Sequence, residues 1–213
     1  MKTTHQRQTW EEQFGEGYLE RNVYNPQELN SFYQDRFGYT KDKLNNDFLS
    51  TIPKDAKILE VGTNIGNQLF HLQSQGFTNL YGIEIQDRAI NYAKHRTDNL
   101  NIIKGDALDI PFKDNYFDLV FTHGVLIHIS PENILKAIDE IYRVSNQYIW
   151  GLEYYAEKYT DLEYHGKKNL MWKTNFAHLY QENKKDLTLK KEERLSYLEQ
   201  PKLVDQMFLL KKS

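Results

Sequence analysis

The 213-residue chain contains no cysteine. That single absence excludes disulfides, thiolate metal ligands and cysteine nucleophiles. The chain also lacks an apolar run long enough to span a bilayer, and its first residues, MKTTHQRQTWEEQ, have none of the apolar core that directs secretion. A strong charge imbalance is missing as well: 27 Lys and Arg stand against 30 Asp and Glu, a formal charge of -3. Such a balance supplies no overall attraction to nucleic acid or anionic lipid. The expectation is a cytoplasmic protein with no nucleic-acid or membrane partner, a monomer or homodimer, long enough for one domain with a sizeable core.

What the chain does have is a strict alternation of patterns. Residues 6–50 read as helical in at least two pieces, interrupted at Asn25-Pro26, because proline cannot donate inside a helix and disfavours a helical residue before it. Then "KILEV" (57–61), "NLYGIE" (79–84), "LNIIKGD" (100–106), "YFDLVFTHG" (116–124) and "QYIWGLEY" (147–154) read as strands. Helical spacing separates several of them: "NQLFHLQSQG" (67–76), "QDRAINYAKHRT" (86–97) and "PENILKAIDEIYRVS" (131–145), the last opening on a proline. Strand and helix in turn predict a parallel sheet covered on both faces. The tail, "DLTLKKEERLSYLEQ" and "LVDQMFLLKK", has strand-like patches without a helix between them, which predicts an antiparallel hairpin on the sheet edge.

The turn after the first strand, "EVGTNIGNQ", suits a nucleoside-bearing ligand, and its residues narrow the choice. A phosphate-cradling P-loop needs Lys-Ser/Thr after the second glycine, where this chain has Asn67-Gln68. A dinucleotide loop needs glycine at 64 and 67, and both are asparagine. The remaining register is Glu60, Gly62 and Gly66, with Asn64, a residue that tolerates left-handed backbone, between the glycines. Glu84 ends the second strand, where a carboxylate can accept from two ribose hydroxyls or simply charge a helix start. Asp106-Ala107 follows the third strand, a ligand position or an ordinary turn. Thr122 and His123 end the fourth. Ligands in open parallel sheets bind at the carboxyl ends of the strands, where all of these fall.

The series Glu60-x-Gly62-x-x-x-Gly66, Glu84, Asp106 and "YFDLVFTHG" resembles motifs I to IV of the class I S-adenosylmethionine-dependent methyltransferases, with asparagine at 64 in place of a glycine. The segments "WEEQFGEGYLERN" (10–22), "FTHGVLIHISPENI" and "LEYY...YHGKKNLMWKTNF" look like the pseudaminic acid biosynthesis-associated methylase family. The resemblance implies a Rossmann-like α/β fold with a mostly parallel seven-stranded sheet, an antiparallel C-terminal hairpin and helices on both faces. It implies one methyltransferase domain over 1–213: a helical cap (1–52), a cofactor-binding core (53–150), an acceptor-side insertion (151–182) and the hairpin (183–213). The implied cofactor is S-adenosyl-L-methionine, leaving as S-adenosyl-L-homocysteine. Its contacts would be Glu60, Gly62, Asn64, Gly66, Glu84, Ile85, Asp106, Ala107, Thr122 and His123, with Asp106 on the adenine amino group and the methionine end near Thr122 and His123.

An amino-terminal helix folds over the cofactor in related enzymes, which would place Tyr18, Arg21 and Asn22 there, the guanidinium on the methionine carboxylate. The implied reaction is methyl transfer to a small polar or anionic acceptor, such as a nonulosonic sugar or its precursor. An alcohol acceptor needs a base, and His128 or His123 can accept a proton near neutral pH. In the insertion, Tyr154, Tyr155, His165, Lys168 and Lys173 suit an anionic acceptor, although such aromatics can equally pack on the sheet. His165 and His178 have no ligand-rich surroundings, so no metal site is expected. A non-catalytic adenosylmethionine-binding accessory protein, or an enzyme using the same cofactor for another reaction, remains an alternative on these residues.

Overall fold

The computed structural model describes residues 22–96, 99–164 and 166–213. The helical reading before Asn22 lies outside them. The described chain starts with two helices, α1 (Pro26–Phe37) and α2 (Lys41–Leu49). Asn25 caps α1: its side chain accepts from the Glu28 amide while the Glu28 carboxylate accepts from the Asn25 amide, and Pro26 takes the first helical position, where no amide is needed. Thr40 caps α2 by accepting from the Lys43 amide.

Then come β1 (Lys57–Val61), α3 (Asn67–Ser74), β2 (Asn79–Glu84), α4 (Asp87–Arg96), β3 (Asn101–Lys104), β4 (Phe117–His123), a 3₁₀ turn (Leu126–His128), α5 (Ile134–Val144) and β5 (Ser145–Tyr154). A hairpin, β6 (Thr160–Tyr164) and β7 (Lys167–Lys173), and a short helix, α6 (Phe176–Asn183), precede β8 (Leu187–Ser196) and β9 (Val204–Lys212). The seven-stranded sheet runs β3-β2-β1-β4-β5-β9-β8, with β9 antiparallel to both of its neighbours and the pairs from β3 through β5 parallel. This is the expected Rossmann-like sheet with its antiparallel terminal hairpin.

Alternation along the buried strands feeds two cores. Ile58, Leu119, Phe121 and Trp150 meet α1 to α4 through Phe37, Phe48, Leu69 and Ile90. Their sequence neighbours Leu59, Val61, Val120 and Ile149 meet α5 and α6 through Ile138, Ile141, Phe176 and Tyr180. Helices therefore cover both faces. Two details differ from the sequence reading. α5 begins at Ile134 rather than at Pro131, because residues 131–133 form a turn whose Ser130 carbonyl accepts from the Ile134 amide at 2.9 Å. The insertion is a two-stranded sheet of its own followed by a helix.

Candidate functional site

The site grows from the β1–α3 turn. Gly62 and Thr63 both donate their amides to the Ile83 carbonyl, at 2.9 and 3.0 Å, which folds the turn over the end of β2. Asn64 stands at φ 50°, the left-handed conformation that asparagine tolerates. Its amide donates to Glu84 Oε2 at 2.9 Å, while Glu84 Oε1 accepts from the amides of Ile85 and Gln86 at 2.8 and 3.0 Å. Burial pushes the Glu84 carboxyl upward and these three amides pull it back. The carboxylate is thereby fixed at the tip of β2.

Glu84, Ile85, Asp106 and Ala107 line one cleft together with Gly62 and Asn64. Asp106 Oδ1 accepts from the Leu108 amide at 2.9 Å, so the aspartate orders its own turn. Glu84 and Asp106 thus share a cavity at the carboxyl ends of the parallel strands. A second cavity adjoins the first, and Gly62, Asn64, His123, Gly124 and His128 border both. Glu60 borders the second one; Thr63 donates its hydroxyl to the Glu60 carboxyl at 2.6 Å, and burial raises that carboxyl to about 8. Asn22 lies there too, tied to the start of α3 by the Asn67 side-chain amide, which donates to its carbonyl at 2.5 Å.

Both histidines named from the sequence stand at this junction, in different states. His123 stacks edge-on against Trp150 and Phe121, and its Nδ1 lies 3.3 Å from the ammonium nitrogen of Lys41. A protonated lysine has no lone pair, so Nδ1 then accepts and the ring proton sits on Nε2. Lys41 is fully buried between the rings of Tyr33 and Trp150, and burial lowers its pKa well below the usual lysine range against the attraction of Glu60. Burial and the nearby Lys41 also lower His123 well below its ordinary value. His128 is different. Its Nδ1 lies 3.2 Å from the Leu170 carbonyl, which can only accept, so Nδ1 carries the proton and Nε2 is the basic nitrogen. Burial lowers it to about 4, which leaves the imidazole neutral at physiological pH.

Thr122 does not reach the cleft. Neighbours on a strand face opposite sides, and with His123 at the junction Thr122 turns to the Glu153 carboxyl of β5. Glu153 also accepts from the amides of Val125 and Ile127, at 3.2 and 3.4 Å, and so holds the turn that carries His128. Burial raises Glu153 to about 7 from its ordinary value of 4.5. The folded carboxyl keeps its proton to about pH 7 while the unfolded one releases it near 4, so its contribution to stability is complete at low pH and is lost as the pH rises through about 7. Glu153→Gln removes this titration. Thermal melts between pH 4 and 9 should show the wild type losing about 3 kcal/mol relative to the variant over that range. Parallel curves would mean that Glu153 titrates normally.

Gly66 also lies outside both cavities: at φ 77° it caps α3 and donates its amide to the Thr63 carbonyl at 2.9 Å, shaping the turn from behind. Of the acceptor-side residues, Tyr154 borders the second cavity. Tyr155 does not; the Arg194 guanidinium covers its ring at 3.2 Å. Lys168 is exposed and Lys173 ends β7, and neither belongs to the lining to which Met171 of the same strand contributes. Tyr18, Arg21 and His165 lie outside the described residues. Sequence reasoning missed Lys41, Arg36 and Asp205. The last two border the second cavity with Tyr33. No local motif marks them, since each meets the site only through the fold.

The cleft suits a polar, nucleoside-bearing cofactor on its own chemistry. The side-chain oxygens of Asn64 and Gln68 and Nε2 of His123 are buried with no partner among the described residues, an arrangement that polar ligand atoms would complete. A Cβ on Gly62 would fall 2.7 Å from a methyl of Val125, so the turn depends on a bare backbone.

Comparison with known proteins agrees. Residues 59–147 match the methyltransferase domain family. A phosphoethanolamine N-methyltransferase of Plasmodium falciparum is 28% identical over 93 residues, 42% of this chain and 35% of that protein. The chain spans less than half the length of the first curated relatives it matches. Among solved structures, an S-adenosylmethionine-dependent methyltransferase of Methanosarcina mazei has a TM-score of 0.64 at 16% identity, covering 76% of this chain and 95% of that one. The 1,6-didemethyltoxoflavin-N1-methyltransferase of Burkholderia thailandensis, solved with S-adenosylhomocysteine, has a TM-score of 0.66 at 12% identity, covering 80% of this chain and 77% of that one. The fold is that of the class I methyltransferases, and the match to the methyltransferase domain family covers residues 59–147.

Proposed function

We propose that the chain is an S-adenosylmethionine-dependent methyltransferase acting on a small polar acceptor, a nonulosonic sugar or a precursor of one. The observation that carries this reading is the cleft itself: Glu84, Asp106 and Gly62 line one cavity, and His123 and His128 join it to a second. Glu84 would hold the ribose hydroxyls, Asp106 the adenine amino group, and the Gly62–Asn64 turn the methionine end. The nonulosonic acceptor rests on the resemblance of residues 10–22, 121–134 and 152–176 to the pseudaminic acid biosynthesis-associated methylases. The insertion contributes Tyr164 and Met171 to the second cavity, which supports an acceptor-side role for residues 151–182.

When bound, S-adenosylmethionine supplies a methyl group on a positively charged sulfur. The residues of this chain then have two tasks. They hold the acceptor atom in line with that methyl, an orientation effect worth about 7 kcal/mol or more in favourable cases. They also take up the acceptor's proton. A hydroxyl oxygen becomes strongly acidic as it gains a carbon, so even an imidazole lowered to about 4 serves as its base, and His128 Nε2 at the junction suits that step.

Calorimetry with S-adenosylmethionine and S-adenosylhomocysteine tests the cofactor; absence of binding to either sinks the proposal. Labelled-methyl transfer to nonulosonic acids and their nucleotide sugars tests the acceptor. His128→Ala should lower turnover about 10²- to 10⁴-fold while S-adenosylhomocysteine affinity stays within about threefold, less than 1 kcal/mol. A fully active variant rejects His128 as the base.

A further inference from the structure

The second cavity has one feature that the proposed cofactor contacts leave unused. Its far wall is built from the end of α1, the tip of β5 and the start of β9, which contribute Arg36, Tyr154 and Asp205. The Arg36 guanidinium lies 4.3 Å from the centre of the Phe32 ring and 5.0 Å from that of Tyr197. It is oriented by aromatic faces, and no described carboxylate lies within ion-pair distance of it. Backbone fixes the same corner: the Leu198 amide donates to the Arg36 carbonyl at 2.9 Å.

Asp205 is 6% exposed and accepts from the Tyr197 hydroxyl, at 3.2 and 3.3 Å to its two oxygens. The remaining ionisable groups of the wall are biased toward their neutral forms. Burial raises Asp205 to about 7 and Glu60 to about 8, and lowers His128 to about 4. Tyr154 is pushed upward in the same way. Arg36 is the one guanidinium among the described residues that line this cavity. Aromatic and apolar side chains, Phe32, Tyr164 and Met171 among them, make up much of the rest.

A planar cation with no described carboxylate within ion-pair distance, set in an aromatic wall and acting on the buried Asp205 carboxyl only at longer range, matches a particular ligand chemistry. We propose that Arg36 and Asp205 form the acceptor's anchoring subsite, Arg36 pairing with a carboxylate and Asp205 accepting from a hydroxyl or amide N–H on the same molecule. The subsite lies across the His123–His128 junction from Glu84 and Asp106, so a sugar acid held there presents another of its groups toward the transferred methyl. Specificity would thus come from α1 and β9 rather than from the lysines of the insertion. This assignment rests on the methyltransferase reading and narrows its acceptor to an acid.

The test is calorimetric, on the full chain saturated with S-adenosylhomocysteine, with N-acetylneuraminic acid and its methyl ester as probes. The acid should bind at least tenfold more tightly than the ester. Arg36→Gln should remove that difference and leave S-adenosylhomocysteine affinity within twofold; Asp205→Asn should weaken both probes and keep the difference between them. Thermal melts of each variant establish that it is folded. Equal binding of acid and ester by the wild type, retention of the difference in Arg36→Gln, or no binding of the acid would each overturn the subsite. Failure of S-adenosylhomocysteine to bind would instead remove the cofactor reading, and the same pair of probes titrated without it still decides the role of Arg36.

Discussion

Glu84→Ala is expected to weaken S-adenosylhomocysteine binding by at least about 100-fold. The assigned interaction is a pair of hydrogen bonds from ribose hydroxyls to a carboxylate, each worth about 1.5–3 kcal/mol, and every 1.4 kcal/mol is a factor of ten. A second loss adds to it. The Glu84 carboxylate accepts from the amides of Asn64, Ile85 and Gln86, so its removal frees the cofactor turn as well as the ribose contact. Three amides left without an acceptor would lower stability by about 3 kcal/mol where water cannot replace the carboxylate. Glu84→Gln separates the two effects. Its carbonyl oxygen can still accept while its NH₂ cannot, so both affinity and melting temperature should fall between those of wild type and Glu84→Ala. A folded Glu84→Ala protein that binds S-adenosylhomocysteine as well as wild type does would remove the ribose assignment, whatever happens to stability.

Glu84 was legible in the sequence because its position follows from local pattern. β1 and β2 are short apolar runs buried on both faces, and their bounds, 57–61 and 79–84, are those read from the residues. A carboxylate ending such a run must sit at the strand tip, where parallel sheets bind ligands. Period two also separates neighbours at the end of β4. The resemblance implies that Thr122 and His123 both meet the cofactor, whereas adjacent strand residues face opposite ways and Thr122 hydrogen-bonds Glu153.

The groups that were not legible reach the site across long stretches of chain. Lys41 lies 82 positions from His123, and in sequence it is only a lysine after a capping threonine. Lysine is almost never fully buried unless paired, so nothing short of the fold shows that this one lies between Tyr33, Trp150 and a histidine. Asp205 is similar: it stands one residue into a terminal strand whose sequence specifies a sheet edge and says nothing about which cavity the strand borders. The lysines of the insertion were chosen for their charge, and charge is what keeps Lys168 in solvent.

Gly62→Ala is expected to abolish measurable cofactor binding and to lower stability by about 2–5 kcal/mol, from two causes that a second substitution can divide. Gly62 stands at φ 72°, where a side chain costs about 1–2 kcal/mol. The added Cβ would also lie 2.7 and 2.9 Å from the two Val125 methyls, an overpacking worth about 1–3 kcal/mol. Neither cost is confined to Gly62. Movement of the turn carries the Asn64 amide away from Glu84, and pressure on Val125 acts on the turn that leads to His128, whose amide donates to the Val125 carbonyl at 3.0 Å. Val125→Ala in the same protein removes both methyls and leaves the backbone conformation as demanding as before. The double variant should therefore regain stability relative to Gly62→Ala, after correction for the cost of Val125→Ala alone, but only the steric share. Cofactor affinity should return only as far as the turn resumes its left-handed path. A Gly62→Ala protein with wild-type affinity for S-adenosylhomocysteine would show that the turn is not the cofactor's seat, because a Cβ there meets Val125 and the turn cannot keep its path unchanged.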